Sequence, residues 1–266
     1  MSSSMTTWGV GDYPLMARLL VPAARAAVDA GEVGPGDRVL DVATGTGNAA
    51  LLAAEQGGQV VGIDFEPVLL RLAQQRARDA GREIRWLQGE LEDLPVPDES
   101  ADVVLSVFGV MYAADHAAAA RQLARVAAPH ARIALASWAP GSVMPAMGQV
   151  LSGYLPPPPP GSGPPSRWGD AEALRALLDD SGLRLATTSR QELVLTFPDV
   201  AAGAAFLIRT AGHVVSEQQL LTDAGRWDDL RHDLAAFVQQ RAEPIDDHLR
   251  LTLRYLLATA NKCTTP

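Results

Sequence analysis

The sequence predicts an α/β fold: a seven-stranded, mostly parallel sheet flanked by helices, with a helical cap inserted late in the chain. Three observations carry this. Apolar strand-like runs alternate with helical periodicity over residues 38–138, and a glycine-rich turn joins the first strand of that series to its first helix. Beyond residue 140 the alternation gives way to a proline tract and a run of helices set between two further strands.

Taken in order, residues 38–41 form a short β-rich run ending in Asp41, and the loop 42–47 carries Gly45 and Gly47. An alanine-rich stretch through Gln56 reads as the first helix. Residues 59–64 are a second strand ending in Asp64, and 66–80 a helix, with Leu69, Leu70, Leu72, Ala73 and Ala77 at helical spacing. Residues 84–88 give a third strand and 102–108 an apolar fourth, of the kind buried on both faces of a parallel sheet. A helix over 115–128 and a fifth strand over 132–138 close the series, which implies right-handed βαβ crossovers. Prolines at 156–160, with glycines and prolines behind them, propagate neither a helix nor a central strand and predict an exposed loop. After it come a helix over 169–181, a long strand over 184–197, several helices over 199–241, and a last strand over 249–258 in which Leu249, Leu251 and Leu253 alternate.

Composition restricts the function classes. The net charge is −9, which argues against a surface that tracks nucleic-acid phosphates and favours a small-molecule partner. No apolar run is long enough to span a bilayer, and the first seven residues lack the basic and apolar regions of a secretory signal, so a cytoplasmic protein without membrane insertion is expected. The lone cysteine, Cys263, has no disulfide partner. The histidines, His116, His130, His213, His232 and His248, show no metal-ligand spacing, so no metal site is expected. Arginine in place of lysine, with Lys262 the one lysine, and abundant alanine suggest a high-GC bacterial genome.

Chemistry concentrates at the carboxyl ends of the first strands. Glycines between a strand and a helix let a ligand approach the backbone, and an acid ending the next strand can accept hydrogen bonds from both hydroxyls of a ribose. Gly45 and Gly47 with Ala50 and Asp64 also satisfy the dinucleotide fingerprint, so that reading stays open at this point. Asp41 and Thr44 precede the first glycine, however, and an acid there suits a cationic amino group better than a pyrophosphate. Glu90, in the acidic stretch after the third strand, lies where the adenine of a nucleoside ligand would rest.

Residues 39–48, Val-Leu-Asp-Val-Ala-Thr-Gly-Thr-Gly-Asn, resemble motif I of the class I S-adenosylmethionine-dependent methyltransferases. Residues 61–65 resemble the ribose-binding strand of that family and 90–95 its adenine-side motif, while 106–112 are similar to the strand-four motif of the bacterial small-molecule branch, the ubiquinone and menaquinone methyltransferases. The likeness is strong from Gly9 to Trp138 and looser through Asp170. It implies a Rossmann-like sheet and S-adenosyl-L-methionine as cofactor. It further implies that Ala43, Thr44, Gly45 and Gly47 lie against the methionine moiety, that Asp41 assists its amino group, and that Asp64 holds the ribose. Phe65 and Leu91 would cover the adenine, Glu90 would meet its edge, and Ser106 belongs to the same cofactor set. Pro129-His130-Ala131 stands where the family has Pro-Gly-Gly, a departure at a turn.

On this reading residues 1–266 are one methyltransferase domain, with an N-terminal helical lid over 1–30, a cofactor-binding core over 31–140, and a remainder over 141–266 that completes the sheet and carries a substrate cap at about 199–242. Two smaller domains are the alternative. Phe108, Met111, Trp138 and Phe206 are the expected lining of the acceptor pocket, and His213 and Tyr13 the candidate catalytic residues. The expected reaction is in-line methyl transfer to an aromatic or polyketide-like specialised metabolite, with a homodimer as the possible assembly. A dinucleotide-dependent oxidoreductase, and a protein that binds S-adenosylmethionine without transferring methyl, are the competing functions.

Overall fold

The computed structural model describes residues 8–157 and 162–263. The proline loop expected at 156–160 falls largely outside them, as does the stretch 1–7. The elements run α1 (Tyr13–Leu19), α2 (Val21–Ala30), β1 (Arg38–Val42), α3 (Asn48–Glu55), β2 (Gln59–Asp64), α4 (Pro67–Asp79), β3 (Arg85–Gln88), β4 (Ala101–Val107), α5 (His116–Val126), β5 (Ala127–Trp138), α6 (Val143–Leu151), α7 (Ala171–Asp179), β6 (Leu183–Phe197), α8 (Val200–Thr210), α9 (Gly212–Asp223), α10 (Trp227–Arg241), β7 (Glu243–Ile245) and β8 (His248–Lys262). Short 3₁₀ turns occupy Val110–Tyr112 and Pro165–Gly169.

The strand order is β3-β2-β1-β4-β5-β8-β6, with β7 paired to β8. Strands β3, β2, β1, β4 and β5 are parallel, and β8 runs antiparallel to β5. The central strands bury both faces: Val103, Val104 and Leu105 of β4 are fully enclosed. Alanines on the helices let them sit close, so that Ala24 and Val28 of α2 and Ala49, Ala50 and Ala53 of α3 pack on Val39, Val60, Val103 and Leu105.

Local chemistry sets the helix starts. Pro67 occupies the first turn of α4, and the preceding Glu66 accepts the Val68 N–H. Asp115 caps α5 through the Ala118 N–H at 2.9 Å, Asp170 caps α7 through Ala173, also at 2.9 Å, and Asp199 caps α8 through Ala202 at 2.7 Å. Each such cap contributes about 1 kcal/mol.

The structure departs from the sequence reading at several places, among them a helix at Val143–Leu151 that was not expected and a last strand that runs on to Lys262. The helix expected to reach residue 128 ends at Val126, and β5 starts at Ala127 instead of 132, because Ala127 pairs with Ala101 before the register shifts. His130 takes up that irregularity with φ at +64°, in the left-handed region where the family's turn has glycine. The helix expected over 169–181 is a 3₁₀ turn followed by a helix that Asp170 starts at Ala171. An eighth strand, β7, joins the seven expected. Its three residues contain Pro244, and a run that short shows no alternation.

The chain forms two compact units. The larger is built from residues 20–140, 162–191 and 255–263, and holds α2–α5, α7, β1–β5 and the adjoining parts of β6 and β8. The smaller is built from residues 8–19, 141–157 and 192–254, and holds α1, α6, α8–α10, β7 and the remainder of β6 and β8.

Candidate active site

In the larger unit, the carboxyl ends of β1, β2 and β4 meet around the glycine loop. Asp41, 1% exposed, accepts the Thr44 hydroxyl at 2.5 Å and the Ala50 N–H at 3.0 Å on one oxygen, tying β1 to the loop and to the first turn of α3. Burial raises this carboxyl to about 7 against the pull of those two bonds. The acid that motif reading places beside a ligand amino group therefore also braces the loop from below.

Asp64 performs the matching task from β2. Its Oδ2 accepts the Gly45 N–H at 2.7 Å and its Oδ1 the Glu66 N–H at 2.9 Å. Burial raises it to about 6, opposed by the two backbone donors. A further strap, Thr44 N–H to the Ile63 carbonyl at 2.9 Å, holds the loop across the ends of β1 and β2. The loop needs its glycines: Gly45 and Gly47 have φ of +56° and +81°, and a Cβ at Gly47 would lie 2.7 Å from the Trp86 ring. Arg76 donates to the Thr46 carbonyl at 2.6 Å and to Asn48 Oδ1 at 2.9 Å, fixing the far side.

Two non-glycine residues in left-handed conformations end neighbouring strands: Ala43 after β1, with φ +55°, and Phe108 after β4, with φ +56°. Backbone strain of this kind costs on the order of 1–3 kcal/mol and persists where the surroundings over-determine it. Here they do. A Cβ on Gly109 would fall 2.4 Å from the Ala43 Cβ, so the strand-four turn lies directly on the glycine loop. Ser106, fully buried, donates to the Val42 carbonyl at 2.8 Å and accepts the Val110 N–H at 3.0 Å. It is thus a clamp between β4 and β1 and presents no accessible surface to a ligand.

Beyond β3, Glu90 is exposed and bridges to Asp93, while Phe65 and Leu91 are half-buried. Gln88 donates to the Phe65 carbonyl at 3.0 Å and joins the ends of β3 and β2. At the ends of β4 and β5, Phe108 stacks on Trp138 with centroids 3.7 Å apart and planes 11° from parallel, and Tyr255 meets Phe108 edge-on at 5.3 Å. Phe108, Trp138 and Met111 are 7%, 3% and 1% exposed, so this stack is an enclosed wall. Tyr112, one residue beyond Met111, is 38% exposed. Sequence reading passed it over, together with Trp86 and Tyr255, because aromatic residues in apolar runs read as core.

In the smaller unit, Trp8 meets Tyr13 edge-on at 6.5 Å and His213 at 6.0 Å, which brings the two candidate catalytic residues into one aromatic group. Desolvation holds His213 below the ordinary histidine value of 6.5, so at neutral pH it is an uncharged imidazole able to accept a proton. Phe206 is 8% exposed and packs on Phe197 with ring centroids 5.3 Å apart. Among the described residues no group of three or more potential ligands is placed to hold a metal ion, and no helix is long and apolar enough to cross a membrane.

Residues 40–135 match a family described as a methyltransferase domain. An uncharacterised protein of Mycobacterium tuberculosis (strain H37Rv) is 38% identical over 182 residues, covering 67% of this chain and 66% of its own length. Demethylmenaquinone methyltransferase of Thermus thermophilus is 39% identical over 135 residues, covering 48% of this chain and 61% of its own. The chain thus spans just under two thirds of the length of these curated relatives. Among solved structures, a putative methyltransferase of Bacillus halodurans superposes with a TM-score of 0.65 at 17% identity, over 91% of this chain and all of that one. The YcgJ protein of Bacillus subtilis gives 0.64 at 20% identity, over 92% and 100%. At those identities the likeness establishes the fold.

Proposed function

We propose, from the premise that this chain belongs to the class I S-adenosylmethionine-dependent methyltransferases, that it methylates a small-molecule acceptor of aromatic or polyketide-like character. The observation that carries the reading is the bond between Gly45 and Asp64. It pins an open glycine backbone to a strand-end carboxylate, which leaves that carboxylate with lone pairs to spare for two ribose hydroxyls.

The residues fit the cofactor. The left-handed glycine backbone at 45 and 47 makes the turn that the cofactor would approach, Asp64 supplies acceptors, and the half-buried Phe65 and Leu91 supply apolar cover for a purine. Asp41 and Thr44 fix the loop that Ala43 begins, and Glu90 stands exposed beyond β3. When bound, the cofactor supplies a methyl group already activated by a sulfonium. What the protein adds is alignment and the exclusion of water, and effective molarities of oriented reactants are large enough to provide most of an acceleration.

The strained ends at Ala43 and Phe108, clamped by Ser106, keep that alignment rigid, and the stack of Phe108 on Trp138 with Met111 gives it an apolar backing. The helices over about 199–242 serve as the acceptor's cap. Within it the neutral imidazole of His213, with Tyr13 in the same aromatic group, takes the proton of an acceptor hydroxyl or acidic carbon. Phe206 acts through packing. The test is calorimetric titration with S-adenosylhomocysteine, with NADH as the control. A saturable site for the former and none for the latter is the expected result, and binding of NADH alone would overturn the proposal.

A further inference from the structure

Gly62 lies inside β2, where neither a turn nor a positive φ calls for a glycine. A glycine in a strand interior weakens the strand and often marks a close approach by another group. Here that group is the indole of Trp86. Gly62 pairs with Trp86 in the parallel register of β2 and β3, so both face the same side of the sheet, the side on which Trp86 packs with Val60 and the α3 alanines. A Cβ at Gly62 would stand 2.5 and 2.6 Å from Cζ3 and Cε3 of the indole, and 3.2 Å from the Thr44 methyl. The ring therefore lies against bare backbone.

The same ring reaches the glycine loop. A Cβ at Gly47 would stand 2.7 Å from Trp86 Cη2 and 3.3 Å from the Ala73 methyl of α4. At Gly47 the space that a side chain would need is thus filled by protein and is not left for a ligand. Arg76, three residues along α4 from Ala73 and on the same helix face, donates to the Thr46 carbonyl at 2.6 Å and to Asn48 Oδ1 at 2.9 Å. Hydrogen bonds on either side of Gly47 hold the loop to α4, and the rigid indole between Gly47 and Gly62 fixes its distance from β2. Close-packed interiors transmit strain, so a ring displaced at Gly62 presses on Gly47.

We propose that Trp86 is a positioning residue for methyl transfer: its indole, wedged between Gly62 of β2 and Gly47 of the loop, sets the height of the glycine loop and through it the affinity for S-adenosylmethionine. The inference rests on the reading of that loop as the cofactor site, and Trp86 acts through Gly47.

The test is a double-mutant cycle of Trp86→Val and Gly62→Ala in the full chain, read as S-adenosylhomocysteine affinity by calorimetry, at a temperature at which circular dichroism and Tm show each variant folded. A residue that only stabilises the fold would lower Tm and leave the affinity of the folded protein unchanged. Trp86→Val is expected to weaken binding roughly tenfold, and Gly62→Ala, which drives the ring towards Gly47, by a similar factor. Added to Trp86→Val, Gly62→Ala should cost no more than about twofold, the part due to its approach to Thr44. Should Trp86→Val not fold, Trp86→Phe keeps a ring over Gly62 but falls short of Gly47, and is expected to bind roughly fivefold more weakly than the native chain. Native affinity in a folded Trp86→Val or Trp86→Phe variant, or an equal cost of Gly62→Ala in both backgrounds, would overturn the proposal alone. No saturable binding by the native chain would overturn the cofactor reading and the proposal with it.

Discussion

Replacing Asp64 with asparagine separates charge from shape at the residue on which the cofactor reading depends most. In the native chain both carboxylate oxygens accept backbone N–H groups, from Gly45 at 2.7 Å and from Glu66 at 2.9 Å. An asparagine offers one acceptor oxygen. Its NH₂ must face one of those donors, a donor–donor conflict that costs about 1–3 kcal/mol. Against that loss stands relief of a buried charge. The carboxyl is raised from 3.8 to about 6, and about two units correspond to roughly 3 kcal/mol at a pH well above both values. The two terms nearly cancel, so the variant folds with a stability close to the native one at pH 8.

The signs differ for stability and for binding. A carboxyl whose folded pKa is raised contributes stability that is fully present below 3.8 and is lost as pH climbs through about 6. Native Asp64 therefore makes the protein less stable from pH 4 to pH 8, and the asparagine variant lacks that slope. A slope remaining near pH 7 belongs to Asp41, raised to about 7 by its own burial. Binding runs the other way. Ribose hydroxyls prefer the carboxylate, so S-adenosylhomocysteine affinity should fall as pH drops through about 6 and fall by about 1.5–3 kcal/mol in the variant at pH 8, or roughly 10–150-fold. Calorimetric titrations between pH 5 and pH 8, paired with thermal unfolding, read both effects. A folded asparagine variant with native affinity, or one that keeps the native pH dependence below pH 6, would refute the assignment.

Ser106→Ala leaves the Val110 N–H and the Val42 carbonyl without their partner in a fully buried position, and should cost about 2–4 kcal/mol, read as a lowered Tm and a chemical-denaturation midpoint shifted to match. His213→Ala should remove the acidic limb of the kcat pH profile, a limb set below 6.5 by desolvation of the imidazole. A uniform drop at every pH would assign His213 to positioning instead. Methyl transfer should persist in EDTA, and loss of turnover restored by magnesium would contradict the metal-free mechanism.

Legibility in the sequence followed the length of the physical signal. β2 was read to the residue, because an apolar run bounded by Gly58 and an acid has unambiguous ends. The glycine loop was equally clear, since Gly45 and Gly47 sit where a strand passes into a helix. The end of α5 was not, because Ala127 and Ala128 suit either element and pairing with Ala101 decided between them. At the candidate site, the sequence marked Asp41, Asp64 and Ser106 as a ligand set, and the structure adds that all three spend hydrogen bonds on bracing the loop and the strand ends. Apart from the Asp41–Thr44 bond, that information lies in contacts between residues 9 to 64 apart, beyond the reach of any local pattern.

The central claim, that the chain moves a methyl group from S-adenosylmethionine to a small molecule, is tested most directly by incubation with cofactor carrying an isotopically labelled methyl and a bacterial metabolite extract, followed by mass spectrometry of the small-molecule fraction. The account predicts a metabolite that has gained one labelled methyl, with S-adenosylhomocysteine formed in equal amount, and loss of both products in Gly45→Val. Saturable cofactor binding with neither product formed, across extracts in which a known methyltransferase is active, would contradict it and leave a protein that binds S-adenosylmethionine without transferring methyl.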